Sequence, residues 1–194
     1  MTDNEFHSYK LPGVTKILDE IFGHEEFKHI PEMVLQMAGE RGTAVHESIE
    51  NFINNKCNNK PQIDFIYQIY IDYFNDWYDK YKPEFIFSEQ KLVSEKLGYK
   101  GIIDTLFLEK HGDKREIVMC DWKTSSNLNV FKAKCQLNLY LLLLEDNMTE
   151  ENKIEVDKLK ILSLTKSGYK YHEFDVDREL AYALLKIYNE KLNG

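Results

Sequence analysis

Two acidic residues and a lysine stand in two neighbouring strand-like segments of the chain. The first segment contains Gly101-Ile102-Ile103-Asp104, and the second ends in Asp121-Trp122-Lys123. Because side chains alternate along a strand, Asp121 and Lys123 project from the same face. Clustered carboxylates favour a hard divalent cation such as Mg²⁺ or Mn²⁺, which can activate a water and neutralise a scissile phosphate. This spacing is therefore typical of metal-dependent phosphodiester hydrolysis.

The elements around these residues explain how they could meet. Tyr99–Leu108 and Glu116–Lys123 are strand-like, and residues 111–114 have the composition of a hairpin connection. Antiparallel pairing of the two strands places Asp104 near Asp121. Two close carboxylates repel each other unless a cation lies between them. Lys123 is then placed to orient a water or to stabilise the transition state.

Two predicted helices carry polar pairs spaced i, i+4 beside apolar stripes. One helix begins near Arg41 with Thr43 as its N-cap, and it carries His46 and Glu50. The other covers Val130–Glu145 and carries Gln136 and Tyr140. A histidine or tyrosine beside such a stripe is more often core than site, although neutral imidazole is also a common metal ligand. Spacing alone leaves both interpretations open.

Taken in order, the motifs resemble those of the PD-(D/E)XK nuclease superfamily, specifically its RecB-type branch. The matching patterns are Gly42-Thr43-X-X-His46, Gly101-X-X-Asp104, Asp121-X-Lys123 and Gln136-X-X-X-Tyr140. Residues 99–125, and the opening 11–18, are similar to the mitochondrial genome maintenance exonucleases and their bacterial and phage relatives. The resemblance extends from about Leu11 to Tyr140. It implies an α/β, restriction-endonuclease-like fold with a mixed central sheet flanked by helices.

The resemblance also implies a role for each matching residue. The metal ligands would be His46, Asp104, Asp121 and the backbone carbonyl of Trp122. Lys123 would be the catalytic lysine. The helix residues that support the active site would be Gln136 and Tyr140. Further acidic candidates are Glu89, on the predicted strand Glu84–Val93, and Glu50; the candidates for nucleic-acid contact are Thr124 and Ser125.

The cofactor and partners follow from the same resemblance. We expect Mg²⁺ or Mn²⁺ as the cofactor and DNA as the substrate, with single strands preferred and a replication or recombination protein as a candidate partner. Iron–sulfur members of the superfamily need four cysteines, with a cluster near the C-terminus. This chain has Cys57, Cys120 and Cys135. We therefore expect no iron–sulfur cluster, and the odd, scattered cysteines favour a reducing compartment over a disulfide framework.

Length, composition and charge limit the number of domains, the location and the class of ligand. The 194 residues, 43% of them hydrophobic, suit a single nuclease domain over residues 1–194. No run is apolar enough to span a bilayer, and the N-terminus lacks signal-peptide features, so we expect no membrane contact and a cytoplasmic location in a bacterial or phage-infected cell. The net charge of −8 argues against DNA binding. However, residues 91–135 contain nine basic and six acidic residues, a local excess of three positive charges.

The remaining elements complete the predicted order of helices, three strands, a helix, two strands and a final helix. Short helices are expected over 13–21 and 31–38, a hairpin over 158–176 and a closing helix over 177–192. Over 64–81 a long helix carries an aromatic stripe that includes Phe65 and Trp77. The stripe favours a core face, with base stacking as the alternative.

Three functions remain open at this stage. The first is a metal-dependent DNA exonuclease acting in replication, repair or recombination. The second is a nuclease-like module that binds nucleic acid or a partner without cutting, against which the intact Asp104, Asp121 and Lys123 argue. The third is a structure-specific endonuclease or a restriction component, which the lack of an attached specificity domain disfavours.

Overall fold

The computed structural model describes residues 1–23 and 29–193, and its element order matches the predicted one. The helices are α1 (Asp3–Ser8), α2 (Val14–Phe22), α3 (Glu32–Asn54), α4 (Gln68–Tyr81), α5 (Val130–Asp146) and α6 (Arg178–Asn193). The strands are β1 (Glu84–Ser94), β2 (Tyr99–His111), β3 (Lys114–Lys123), β4 (Lys158–Thr165) and β5 (Gly168–Phe174). The short helix α1 is an element that the sequence did not predict.

The five strands form one mixed sheet in the order β1-β2-β3-β4-β5. All neighbouring pairs are antiparallel except β3 and β4, which are parallel and are joined through α5. The antiparallel register aligns Thr105 with Cys120, so that Asp104 and Asp121 follow directly at the next paired position. The predicted α/β fold with a mixed central sheet flanked by helices is confirmed.

Each face of the sheet is covered by its own hydrophobic cluster. On one face α2, α5 and α6 pack against residues such as Ile103, Met119 and Ile161. On the other face α3 and α4 pack against Val118, Cys120 and other strand residues. Alternation along β3 therefore turns Asp121 and Lys123 toward the α5 side, together with Met119. Among the described residues, no helix has the length and apolar character needed to cross a bilayer.

Helix α3 corrects one prediction. Thr43 is not an N-cap, because the helix runs unbroken from Glu32 to Asn54 and joins the two helices expected over 31–38 and from Arg41. Its buried residues all lie in the second half, from Val45 to Ile53. The first half has no buried side chain. The apolar periodicity begins only where the helix becomes buried, at Val45. The sequence therefore placed the start of the helix, and its N-cap, too late.

The aromatic stripe of α4 is core, as the favoured interpretation expected, but its members differ. Tyr70, Ile71, Phe74 and Trp77 are buried, whereas Phe65 is 89% exposed. Phe65 lies in a 3₁₀ turn, capped by Asp64, that precedes the α-helix. The change of helix type rotates Phe65 off the stripe, because a 3₁₀ turn holds fewer residues than an α-helical turn.

Candidate active site

Glu89 of β1 and Asp104 of β2 lie where both strands depart from regular geometry. Ile103 and Leu106 both join the cluster on the α5 side, although residues three apart on a regular strand face opposite ways. In β1, Glu89 has a φ of 50°. A non-glycine residue in that left-handed region costs about 1–3 kcal/mol, and such strain concentrates at functional sites. The kink lies where the register of the pair places Glu89 opposite Asp104.

Three potential metal ligands converge at this kink. One ligand atom from each of His46, Glu89 and Asp104 lies within 4.8 Å of the others. His46 Nδ1 is 3.5 Å from Asp104 Oδ2 and 3.6 Å from Glu89 Oε1. Glu89, only a further candidate in the sequence, is thus part of the tightest group. The family resemblance pointed to it, but no local pattern distinguishes it from other strand glutamates, because its position depends on the backbone turn.

The backbone at Trp122 ties the cluster together. His46 Nε2 donates to the Trp122 carbonyl oxygen at 2.9 Å, and the Trp122 N–H donates to Asp104 Oδ2 at 2.8 Å. The hydrogen bond from His46 fixes the orientation of the imidazole, so that Nδ1 faces the carboxylates of Glu89 and Asp104.

Asp121 and Lys123 form a second, adjoining part of the site. Lys123 Nζ lies 2.7 Å from Asp121 Oδ2. That oxygen is buried and accepts no hydrogen bond of good geometry from the described residues. In this arrangement Asp121 is outside the group of three ligands described above. The donor set, imidazole nitrogen plus carboxylate and carbonyl oxygens, fits a hard or borderline divalent ion.

The crowding of charges changes the protonation of the site. Burial, opposed by His46 and reinforced by Asp121, raises the pKa of Asp104 to about 7. Burial lowers the pKa of His46, but the Asp104 carboxylate and the Glu89 hydrogen bond outweigh it and raise the pKa to about 9. Burial also acts against protonated Lys123, yet Asp121 and Asp104 raise its pKa. Lys123 therefore stays an ammonium, which suits a charge-stabilising donor better than a base.

Helix α5 places Gln136 and Tyr140 beside these carboxylates. Gln136 Nε2 donates to Tyr140 Oη at 2.9 Å. Burial, with the charges of Asp121 and Asp104, raises the pKa of Tyr140, so its hydroxyl keeps its proton. A Cβ atom at Gly101 would lie only 2.7 Å from Tyr140 Cε1. Glycine at position 101 therefore leaves the space that the tyrosine ring fills.

The last three candidates differ in position. Thr124 is buried, with its Oγ1 3.8 Å from where a Cβ of Gly42 would lie, whereas Ser125 is exposed. Glu50 accepts a hydrogen bond from Asn54 at 3.4 Å and is not in the group of three ligands. Burial and the charge of Glu89 raise the pKa of Glu50. The structure thus brings together the strand and helix candidates and leaves Glu50 and Ser125 at the margin.

Comparison with known proteins agrees with this geometry. The family model for the PD-(D/E)XK nuclease superfamily matches residues 63–193, more than half of the chain. No curated protein matches the sequence significantly.

Two crystal structures share the fold. One, SSO0001, has a TM-score of 0.50 at 17% identity and covers 98% of this chain and 82% of its own. The other is a protein from Eubacterium rectale whose name includes the word exonuclease; its TM-score is 0.51 at 14% identity, covering 100% of this chain and 84% of its own. At these identities the similarity shows the fold alone.

Proposed function

Since the chain belongs to the PD-(D/E)XK nuclease superfamily, we propose that it is a metal-dependent deoxyribonuclease of the RecB-type branch, a single nuclease domain that degrades single-stranded DNA from its ends. The observation that carries this proposal is the excess of carboxylates, the buried Asp104 and Asp121 and the partly buried Glu89, beside one lysine and one histidine. Such an excess is costly unless a cation compensates it.

The direction of attack, the preference for single strands and the pathway are inferred from the motifs and the comparisons. The order of the motifs through Tyr140 resembles the mitochondrial genome maintenance exonucleases, and one structural neighbour carries the word exonuclease in its name. These similarities support attack on DNA ends and a preference for single strands. Roles in replication, repair or recombination, in the cytoplasm of a bacterium or of a phage-infected cell, complete the proposal.

Each residue of the site has a distinct part in the proposed reaction. His46, Asp104, Asp121 and the Trp122 carbonyl would hold Mg²⁺ or Mn²⁺, and Glu89 would join them. A bound divalent ion supplies an activated water and neutralises charge on the phosphate.

The groups around the metal ligands complete the site. Lys123, held as an ammonium by Asp121, would donate to the phosphate as negative charge develops. Gln136 and the protonated Tyr140 would keep the carboxylates and the DNA strand in position.

Digestion of labelled DNA tests this function. The substrates are end-labelled linear and circular forms, each single- and double-stranded, with Mg²⁺, Mn²⁺ or EDTA. We expect loss of linear single strands with metal, none with EDTA and none in the Asp121→Asn variant. Cleavage of circles would indicate an endonuclease. Absence of cleavage with either metal would favour a module that binds nucleic acid without cutting.

A further inference from the structure

A groove opens directly beside the candidate active site. Helix α3 approaches the end of β3 closely at Gly42 and Thr124, and Thr124 follows Lys123 in the chain. From that contact toward its N-terminus, α3 buries no side chain. A cavity of about 720 Å³ separates this first half of α3 from residues 125–129. The groove therefore begins at Ser125, two residues beyond the proposed catalytic lysine.

The two walls of the groove differ in chemistry. Val34, Leu35 and Ala38 give the helix side an apolar surface. Ser125 and Ser126 give the opposite side exposed hydroxyl groups. The opposite wall also contains Leu128, but its other members are short and polar. Such a groove suits a ligand with flat apolar faces along one edge and hydrogen-bond acceptors along the other. A nucleic-acid strand has this distribution, with bases on one side and phosphates on the other.

Arg41 lies at the inner end of the groove. Among the described residues that line the groove, Arg41 is the charged one, and it is a cation in a protein of net charge −8. Its guanidinium stacks over the ring of Tyr70 at 5.4 Å, and its buried Nε makes no hydrogen bond with the described residues. A planar guanidinium fixed in this way is suited to phosphate.

Ser125 links the groove to the catalytic centre. It also lines a smaller cavity, of about 260 Å³, together with Lys123 and Gln136. A strand lying in the groove would therefore extend past Ser125 toward Lys123. This continuity distinguishes the groove from an isolated apolar patch on the surface.

We propose that this groove binds the single-stranded nucleotides next to the scissile phosphate, with Arg41 contacting a phosphate and Val34, Leu35 and Ala38 contacting bases. The proposal rests on the proposed function and assigns its substrate site. Val34 and Arg41 are seven residues apart, about 10 Å along the helix, which leaves room for a few nucleotides.

The apolar wall favours a single strand over a duplex. In a duplex the base faces stack on one another, so an aliphatic surface gains nothing from them. Unpaired bases expose their faces and can bury them against the helix. The groove therefore contributes to selectivity as well as to affinity.

A matched pair of substitutions on α3 tests the groove. Val34 lines it and is 50% exposed, while its neighbour Met33 is 73% exposed and outside it. Both are solvated enough to accept a glutamate without unfolding. We expect Val34→Glu to weaken binding of fluorescein-labelled dT12 about tenfold, because a carboxylate in the apolar wall cannot pack against base faces and adds negative charge to a site for a polyanion, and Met33→Glu to change it less than about twofold. Fluorescence anisotropy in 150 mM salt, with Mg²⁺ and in a Lys123→Ala background, measures both.

A second pair tests the phosphate contact. Arg41→Gln removes the guanidinium of the groove, and Arg115→Gln removes an exposed guanidinium near the opposite end of β3. We expect only Arg41→Gln to weaken binding, by about tenfold, and to reduce the salt dependence by about one ionic contact. A blunt duplex of the same length should bind more weakly and respond less to either Val34→Glu or Arg41→Gln.

These measurements test binding in the groove independently of the proposed nuclease function. Equal binding by Val34→Glu and Met33→Glu, or by Arg41→Gln and Arg115→Gln, overturns the groove even if the wild-type enzyme cuts DNA. Discrimination within both pairs supports the groove even if the wild type cuts nothing, because binding is read without cleavage. A change of oligomeric state in Val34→Glu, with dT12 binding intact, would make the face a contact between copies and contradict the proposal.

Discussion

The sheet buries two groups of charged side chains, one around Asp104 and Asp121 and the other around Glu109 and Lys160. Both groups place a carboxylate of β2 near a lysine of a neighbouring element, and in the described part of the chain each leaves one buried carboxylate oxygen without a hydrogen bond. They differ in charge balance. Lys160 Nζ lies 2.5 Å from Glu109 Oε2 and 3.0 Å from Glu173 Oε2, with the Tyr171 ring stacked beside it.

The consequences for protonation are opposite. Beside Lys160 the pKa of Glu173 is lowered, chiefly by the hydrogen bond from that lysine. In the candidate site the pKa of Asp104 is raised to about 7, chiefly by burial. Lys160 pairs with one fully buried carboxylate, because Glu173 is half exposed and also pairs with Lys158. In the candidate site three carboxylates surround one lysine and one protonated histidine, which leaves negative charge for a cation to compensate. A buried charge that has a partner therefore does not identify a functional site, whereas buried negative charge without enough positive partners does.

The largest expected effect is on cleavage. Lys123→Ala should lower the rate of DNA hydrolysis about 1,000-fold, because it removes the donor that faces the developing charge. Folding should persist, since Lys123 is partly exposed. Single-turnover cleavage of labelled single strands, with circular dichroism of the same samples, measures both. Lys160→Met is the matched control, and an equal loss of cleavage per folded molecule in that variant would contradict the distinction between the two groups.

The second effect is on stability. Lys160→Ala should lower the free energy of unfolding by about 3–5 kcal/mol, because it leaves Glu109 buried without its partner. Chemical denaturation measures the change. The double variant Glu109→Leu, Lys160→Met should recover much of the loss, since apolar side chains of similar volume can replace a buried ion pair. Equal destabilisation in the single and double variants would refute a paired, structural role.

A smaller effect concerns the support of Tyr140. Gly101→Ala would place a Cβ 2.7 Å from the Tyr140 ring and 3.0 Å from Leu143 Cδ1, so the ring must move. We expect about tenfold slower cleavage and a stability loss of about 1–3 kcal/mol from overpacking. Gly39→Ala is the control, because a Cβ there meets no atom of the described residues within 4 Å. Unchanged cleavage by Gly101→Ala would remove Tyr140 from the site.

The smallest effect is on pH dependence. The folded pKa of His46 is raised from 6.5 to about 9, so its contribution to stability is complete below pH 6.5 and is lost as the pH rises through 9. In EDTA the Tm should therefore fall between pH 6.5 and 9, and His46→Gln should flatten that fall. Mg²⁺ should reduce it as well, since a ligated imidazole needs no proton. Scanning calorimetry from pH 6.5 to 9 measures this fall. If Tm falls with the same slope in the wild type and in His46→Gln, the pKa of His46 is not raised.

Local patterns in the sequence predicted much of the fold. The alternation in Glu116–Lys123 correctly placed Asp121 and Lys123 on one face, and the hairpin at residues 111–114 set the register that brings Asp104 opposite Asp121. The order of strands and helices followed from similar periodic segments. These features depend on neighbours in the chain, which a sequence displays directly.

Other features depend on contacts that no local pattern displays. The left-handed backbone at Glu89, which brings this glutamate toward His46, arises from the kink shared with β2. Thr43 was predicted to cap a helix, yet it lies inside α3, next to the point where that helix contacts Thr124. The burial of Glu109 and Lys160 likewise requires three strands to assemble. In each case the partner residue is distant in sequence.

One measurement tests the central claim most directly: cleavage of end-labelled linear single-stranded DNA with Mg²⁺ by two variants of β2, Asp104→Asn and Glu109→Gln. Both change one buried carboxylate to an amide of the same shape, one in each charged group. We predict a loss of about 1,000-fold for Asp104→Asn and near wild-type cleavage per folded molecule for Glu109→Gln. Equal activity of the two variants would show that the cluster around Asp104 is not the catalytic centre.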